Sequence, residues 1–212
     1  MSPPRDTPLH TRVRERILAG RLAAGAPIRQ DKLAAELGVS KIPLRETLTR
    51  LESEGLVASH ANQGFRVRPL TRAEVEDIFE LRLQIEPPAC ARGALCAGAA
   101  DKQIAARAHA ALQLALARGA KLAGPRNREF HLSLVRPSGR AVTLDAVRRL
   151  LALSERYVRV HLGPSGRTGR ASDEHAALLQ AWLDGQADLV RKLAEGHIKT
   201  TLRDLLEQLP QD

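Results

Sequence analysis

Aromatic side chains make up only 2% of this 212-residue chain: three Phe, one Tyr and one Trp. A core with so few rings must be built from Ala, Leu, Val and Ile, which suits packed helices better than strands. Hydrophobic residues still reach 43%, enough for a real core. Cysteine is nearly missing as well. Cys90 and Cys96 form no C-x-x-C pattern, which excludes a disulfide-stapled scaffold or a cysteine zinc site and reads as two reduced small core residues in a cytosolic protein. No run nears the roughly 18 apolar residues that span a bilayer, and MSPPRDTPLHTR lacks the apolar segment of a signal peptide. The expected location is cytoplasmic.

What the chain does have is positive charge, +9 in all. Residues 1–70 hold 12 Lys and Arg against 7 Asp and Glu, and residues 71–212 hold 21 against 17. The excess is therefore denser in the N-terminal third, as expected of a part that meets phosphates.

Residues 1–8 are Pro-rich and polar and read as a disordered arm. Leu9, Val13, Ile17 and Leu18 then keep helical spacing up to Gly20, and RLAAGAPIRQ reads as a Gly/Pro-punctuated connection. A second short helix spans 30–37 with Leu33, Ala34 and Leu37 inward. After the GVS turn a third helix begins, with Ser40 at its N-cap and Pro43 in its first turn. Leu44, Leu48 and Leu51 form its buried stripe, while Lys41, Arg45, Thr49 and Arg50 lie off it. Past Gly55, the runs LVAS (56–59) and FRVR (65–68) flank HANQG, a hairpin with turn residues at its tip. Helix, helix, turn, helix and hairpin make a winged helix-turn-helix over 9–69, with Asn62, Gln63 and Gly64 at the wing tip and Arg66 nearby.

A linker at 70–71 follows. Thr71 with Glu74 is a capping box, so a new helix opens at once. Helices are expected at 72–97, 101–118, 124–137, 141–161, 172–184 and 186–208. The fold expected is mainly α: the winged helix-turn-helix joined to an all-α antiparallel bundle of about six helices over 72–209.

The stretch AGRLAAGAPIRQDKLAAELGVSKIPLRETLTRLESEGLV, with Gly64 and Val67 after it, resembles the GntR family of bacterial transcription regulators. The similarity continues through PLTRAEVEDIFELRLQIEPPA, NREFH, DEHAALLQAWLDG and AEGHI, the order found in the family's FadR branch with its FCD-type helical domain. The resemblance implies DNA reading by the third helix and the wing. Lys41 and Arg45 match its base or phosphate contacts, with Ser40 and Thr49 in support. Lys41 stands where the family often has Arg, and a lysine cannot make the bidentate contact of a guanidinium.

Three of the seven histidines, His131, His175 and His197, fall inside expected bundle helices, and Asn127 is one turn before His131 on the same face. On spacing alone they read as satisfied core or surface residues more readily than as a ligand set. The resemblance implies a metal, zinc or nickel, held by an Asp/Asn-x-x-x-His pair and two later histidines, which match Asn127, His131, His175 and His197. Asn127 replaces an Asp common in relatives, so the ion would keep more of its charge for an anionic ligand. Arg82 matches the family's effector-carboxylate partner, or else pairs with Glu86 one turn away. Tyr157 and Arg126 are further pocket candidates.

The function expected is a homodimeric repressor on a palindromic operator, its DNA affinity modulated by a small carboxylate at the metal. The competing class is a metal-dependent enzyme acting on a small organic acid. Against it, Glu129 and Glu174 adjoin ligands in sequence, but neighbours at i±1 on a helix point elsewhere, so no general base is assignable. A nonspecific nucleic-acid binder would leave the histidines without a role.

Overall fold

The computed structural model describes residues 8–61, 63–118, 123–162 and 166–209, with the backbone alone at 158–161. The expected arm at 1–8 and the wing residue Asn62 lie, save for Pro8, outside the described residues. The chain divides into two compact units, Met1–Leu70 and Thr71–Asp212. Among the described residues there are nine α-helices and one two-stranded sheet.

The first unit holds α1 (Leu9–Leu18), α2 (Gln30–Leu37), α3 (Lys41–Ser53), β1 (Val57–His60) and β2 (Gly64–Val67). Its core forms where the stripes meet: Val13 and Ile17 from α1, Leu33 and Leu37 from α2, and Leu44, Leu48 and Leu51 from α3, the last three fully buried. Between α2 and α3 the chain turns at Gly38, whose φ of 66° is one that a side chain would strain. Ser40 occupies the N-cap of α3 in extended conformation, yet its hydroxyl makes no capping bond. Pro43 is the N3 residue and has no N–H, so of the two groups a cap serves only the Ile42 N–H is present.

The strands pair antiparallel from Val57↔Val67 to His60↔Gly64, so pairing runs one residue further toward the tip than the apolar alternation indicates. The stretch read as a mere connection also joins the sheet. Ile28 N–H donates to Phe65 O (2.8 Å) and Val67 N–H to Ala26 O (3.0 Å), with a bridge between Pro27 and Arg66. Pro27 escapes notice as strand because it has no N–H, but on an edge only its neighbours need donate.

The second unit holds α4 (Arg72–Cys96), α5 (Ala99–Ala117), α6 (Ala123–Val135), a 3₁₀ turn (Arg136–Ser138), α7 (Ala141–His161), α8 (Arg167–Leu183) and α9 (Ala187–Leu206). α4 packs most extensively along α9, and α5 packs on α6 and α8. α4 stays helical through Pro87 and Pro88, although each proline removes one i→i−4 bond. Half of the capping box forms at its start. Thr71 Oγ1 accepts from Glu74 N (3.1 Å), but the Glu74 carboxylate turns to Arg156 (2.5 Å) and the Tyr157 hydroxyl (2.6 Å) of α7.

Two expectations need correcting. α8 begins at Arg167, not 172; Gly169 argues against a helix there, but Arg167 and Arg170 pair with Asp204 of α9 and with Glu207 just past its end, and hold the extra turn. Cys96 is exposed while Cys90 is buried, and both are free. Six residues along a helix is a rotation of about 240° past a full turn, so both cannot face one core.

At the packing of α4 on α6, a Cβ on Gly93 would come within 2.0 Å of the Leu134 carbonyl oxygen and 3.4 Å of Trp182 Nε1. Trp182, fully buried, donates Nε1–H to that same carbonyl at 3.1 Å. Gly93→Ala is expected to cost about 1–3 kcal/mol by overpacking, read as a lower Tm in thermal melts. Gly169→Ala, where nothing lies within 4 Å of the added carbon, should leave Tm unchanged or raised.

Candidate metal centre and nucleic-acid interface

Three helices of the second unit deliver one histidine each to a common interior point: α6 His131, α8 His175 and α9 His197. All three are buried, and each offers a ligand atom within 4.8 Å of the others. Ring centroids are 4.5 Å apart for His175 and His197 and 5.4 Å for each pair involving His131. The Phe130 ring, 5.2 Å from that of His175 and 5.6 Å from that of His131, forms an apolar wall, and His109 of α5 packs against it at 5.4 Å. Asn127, one turn before His131, is buried at 9% exposure.

The residues fit a metal. Zinc–imidazole bonds are about 2.0–2.1 Å, so donors around one ion are at most about 4.2 Å apart, within small side-chain rotations of the observed spread. His131 Nε2 is buried with no hydrogen-bond partner among the described residues, and an ion would satisfy it. Burial holds the His131 pKa below its ordinary value, with Arg82 and His197 adding to the effect and Glu86 opposing it, so the ring is held in its neutral, ligating form.

Two carboxylates reach this set from behind. Glu86 Oε1 is 2.6 Å from His131 Nδ1, and Glu174 Oε2 is 2.7 Å from His197 Nδ1. Burial would push the Glu86 carboxyl up, but the Arg82 guanidinium and His131 outweigh it and hold the group well below the usual carboxylate range. Neither contact is visible by local spacing. Glu174 does point away from its sequence neighbour His175, as i±1 geometry requires, and thereby toward His197 on the next helix. Glu129 is exposed and pairs with Arg136 at 3.5 Å.

Of the effector candidates, Arg82 is buried, with Nε 2.9 Å and Nη2 3.4 Å from Glu86 and Nη1 3.5 Å from Ser154 Oγ. Tyr157 is fully buried and donates its hydroxyl to Glu74, which with burial raises its pKa to about 12. Arg126 is exposed. These three do not converge as one set: Arg82 lies beside the histidines through Glu86, while Tyr157 serves the start of α4.

In the first unit, Ser40, Lys41, Arg45 and Thr49 are all exposed on α3 or at its cap. Lys41 Nζ is 2.5 Å from Asp31 Oδ1 of α2, both side chains well exposed, and Thr49 Oγ1 donates to the Arg45 carbonyl (3.1 Å). Gln63 is exposed at the hairpin tip, and Gly64 has a φ of 74°. Arg66 Nη1 donates to Gly25 O at 3.4 Å. The sequence reading passed over Ile42, 72% exposed and the one large hydrophobic so exposed among the described residues of this unit. Its place between two outward cations was the available signal.

Residues 9–67 match the family described as bacterial regulatory proteins, gntR family, and residues 77–200 match the FCD domain. The chain is 33% identical over 190 residues to the Nta operon transcriptional regulator of Aminobacter aminovorans, covering 86% of each. It is 26% identical to the "Probable D-xylose utilization operon transcriptional repressor" of Paenarthrobacter nicotinovorans, covering 88% of this chain and 82% of that protein. Among solved structures, E. coli McbR/YncC superposes with a TM-score of 0.77 at 20% identity, covering 94% of this chain and 95% of that one. These families and relatives are transcription regulators, which sets aside the metal-dependent enzyme.

Zinc, nickel or cobalt added to chelator-treated protein is expected to raise Tm, by about 2.7 kcal/mol of stabilisation at a hundredfold excess over Kd. Chelator should reverse the shift and His131→Ala abolish it in melts run with and without metal.

Proposed function

Since the chain belongs to the GntR family of bacterial transcription regulators and carries an FCD domain, we propose that it is a metabolite-responsive repressor acting as a cytoplasmic homodimer on a palindromic operator. The observation that carries this reading is the buried three-histidine cluster in the same chain as a winged helix-turn-helix with an exposed cationic α3. A relative of nearly full length is named a repressor. No helix among the described residues is long and apolar enough to cross a membrane.

On the output side, Arg45 reads a base or phosphate, with Lys41, Ser40 and Thr49 alongside and the wing tip, Asn62, Gln63 and Gly64, against the backbone or minor groove. Ile42 adds an apolar contact suited to a thymine methyl group. On the input side, His131, His175 and His197 with Asn127 would hold a divalent ion, zinc or nickel. Such an ion supplies a positive Lewis-acid centre for a small carboxylate effector. Arg82 meets that carboxylate by exchanging it for Glu86, with Tyr157 and Arg126 as more distant candidates. Effector binding shifts the population of DNA-competent arrangements by the difference in its affinity for the two states.

The test is selection of the preferred operator from random duplexes, then fluorescence anisotropy at physiological salt with and without organic acids. No preference for any sequence over random DNA would sink the regulator's specificity. Arg45→Ala should lose about 1–3 kcal/mol of specific binding if Arg45 reads a base. Replacing operator thymines singly by deoxyuridine should reveal one position where the wild type loses about 0.8 kcal/mol, the worth of one buried methyl. In Ile42→Ala the two bases at that position should bind alike, and a full thymine preference retained there would remove Ile42 from the interface.

A further inference from the structure

The ligand set Asn127, His131, His175 and His197 carries no negative charge, so a divalent ion among them needs its compensation from elsewhere. Two of the three imidazoles have a carboxylate at Nδ1, which leaves Nε2 for an ion: Glu174 Oε2 at 2.7 Å from His197 Nδ1, and Glu86 Oε1 at 2.6 Å from His131 Nδ1. A carboxylate can only accept, so the Glu174 hydrogen bond requires His197 Nδ1 to carry the proton, whereas Glu86 lies as near to His131 Nδ1 without hydrogen-bond geometry. The Glu174 bond fixes the tautomer in which Nε2 holds the lone pair, orients the ring and raises its basicity.

The two carboxylates are not equivalent. Glu86 is 1% exposed and has Arg82 on both oxygens, at 2.9 and 3.4 Å. It therefore arrives with its own counter-charge, and its oxygens are shared. Glu174 is 27% exposed, with its second oxygen 3.6 Å from Arg170 Nε, and Arg170 is itself drawn to the buried Asp204. Glu174 also sits on α8 next to His175, while the ring it holds belongs to α9. One backbone thus sets both His175 and the orientation of His197.

We propose that Glu174, and with it Glu86, is a positioning residue for the metal: charge absent from the ligands themselves is delivered through the backs of His197 and His131. This rests on the metal reading given above, and goes beyond it by naming what makes a neutral donor set bind.

The test uses the full chain, stripped with chelator and titrated with Zn²⁺ and Co²⁺ against a chromophoric competitor. Glu174→Gln is expected to weaken metal binding about 10–100-fold and to alter the visible Co²⁺ spectrum. Its metal-free Tm should stay close to the wild type, because the side chain is partly exposed. Glu86→Gln should weaken binding too, but it strands Arg82 in the interior and can fail to fold, so Glu174 carries the decision. Glu174→Asp, too short to keep the contact without movement, should resemble Glu174→Gln despite its charge. Unchanged affinity and spectrum in Glu174→Gln, with metal bound by the wild type, would overturn the proposal and leave Glu174 as a tie between α8 and α9. Absence of metal uptake by the wild type would overturn both this proposal and the metal reading beneath it.

Discussion

An imidazole taken out of water loses hydration at both ring nitrogens, and the loss must be made good inside the protein or the fold is weakened. The second unit buries three such rings at the meeting of α6, α8 and α9, each under 10% exposed. Much of the surrounding architecture answers that requirement. Phe130 seals the cluster with apolar surface; Glu86 and Glu174 take the Nδ1 side of two rings; α8 extends a turn further than its sequence advertises, which brings Arg167 and Arg170 against α9. The arrangement leaves ring nitrogens gathered where a cation fits, which an apolar core of equal volume would not.

The same site explains why Arg82 has two readings that are compatible. A buried guanidinium needs a counter-ion, and Glu86 one turn along α4 provides it. Under the proposed function, an anionic effector beside the histidines would offer Arg82 an equivalent partner, and Glu86 would still have His131 Nδ1 at 2.6 Å. Exchange between two carboxylates on one arginine costs far less than stripping the arginine bare, because a buried charge is never left alone at either end of the exchange.

How much of this was legible in the sequence depended on range. Stripes such as Leu44, Leu48 and Leu51 express a period that any helix must obey, so the helices and their inward faces followed from spacing. The histidines came from helices separated by dozens of residues, and only the order of motifs around them linked them. Glu174 is the instructive case. Local geometry correctly rules it out as a partner of His175, but the ring it does meet is 23 positions away on a helix whose placement no local rule gives. Likewise Ala26 and Ile28 pair with β2 in a stretch whose Gly and Pro mark a turn, since proline hides a strand only by the donor it lacks. At Ser40 the sequence did show that Pro43 removes one of the two N–H groups a cap can serve.

The exposed face of α3 carries less free charge than a count of its cations suggests. Lys41 is already paired with Asp31, and a pair so exposed contributes little to stability while still cancelling much of its own field at a distance. Asp31 would also oppose a phosphate brought to Lys41. Under the reading proposed above, Arg45 is the guanidinium nearest the start of α3 able to make a directional, bidentate contact, and Ile42 beside Lys41 adds exposed apolar surface. Net charge then governs how fast and how generally this unit meets DNA. Under the same reading, its choice of sequence would rest on Arg45 and Ile42, whose chemistry suits a guanine edge and a thymine methyl respectively.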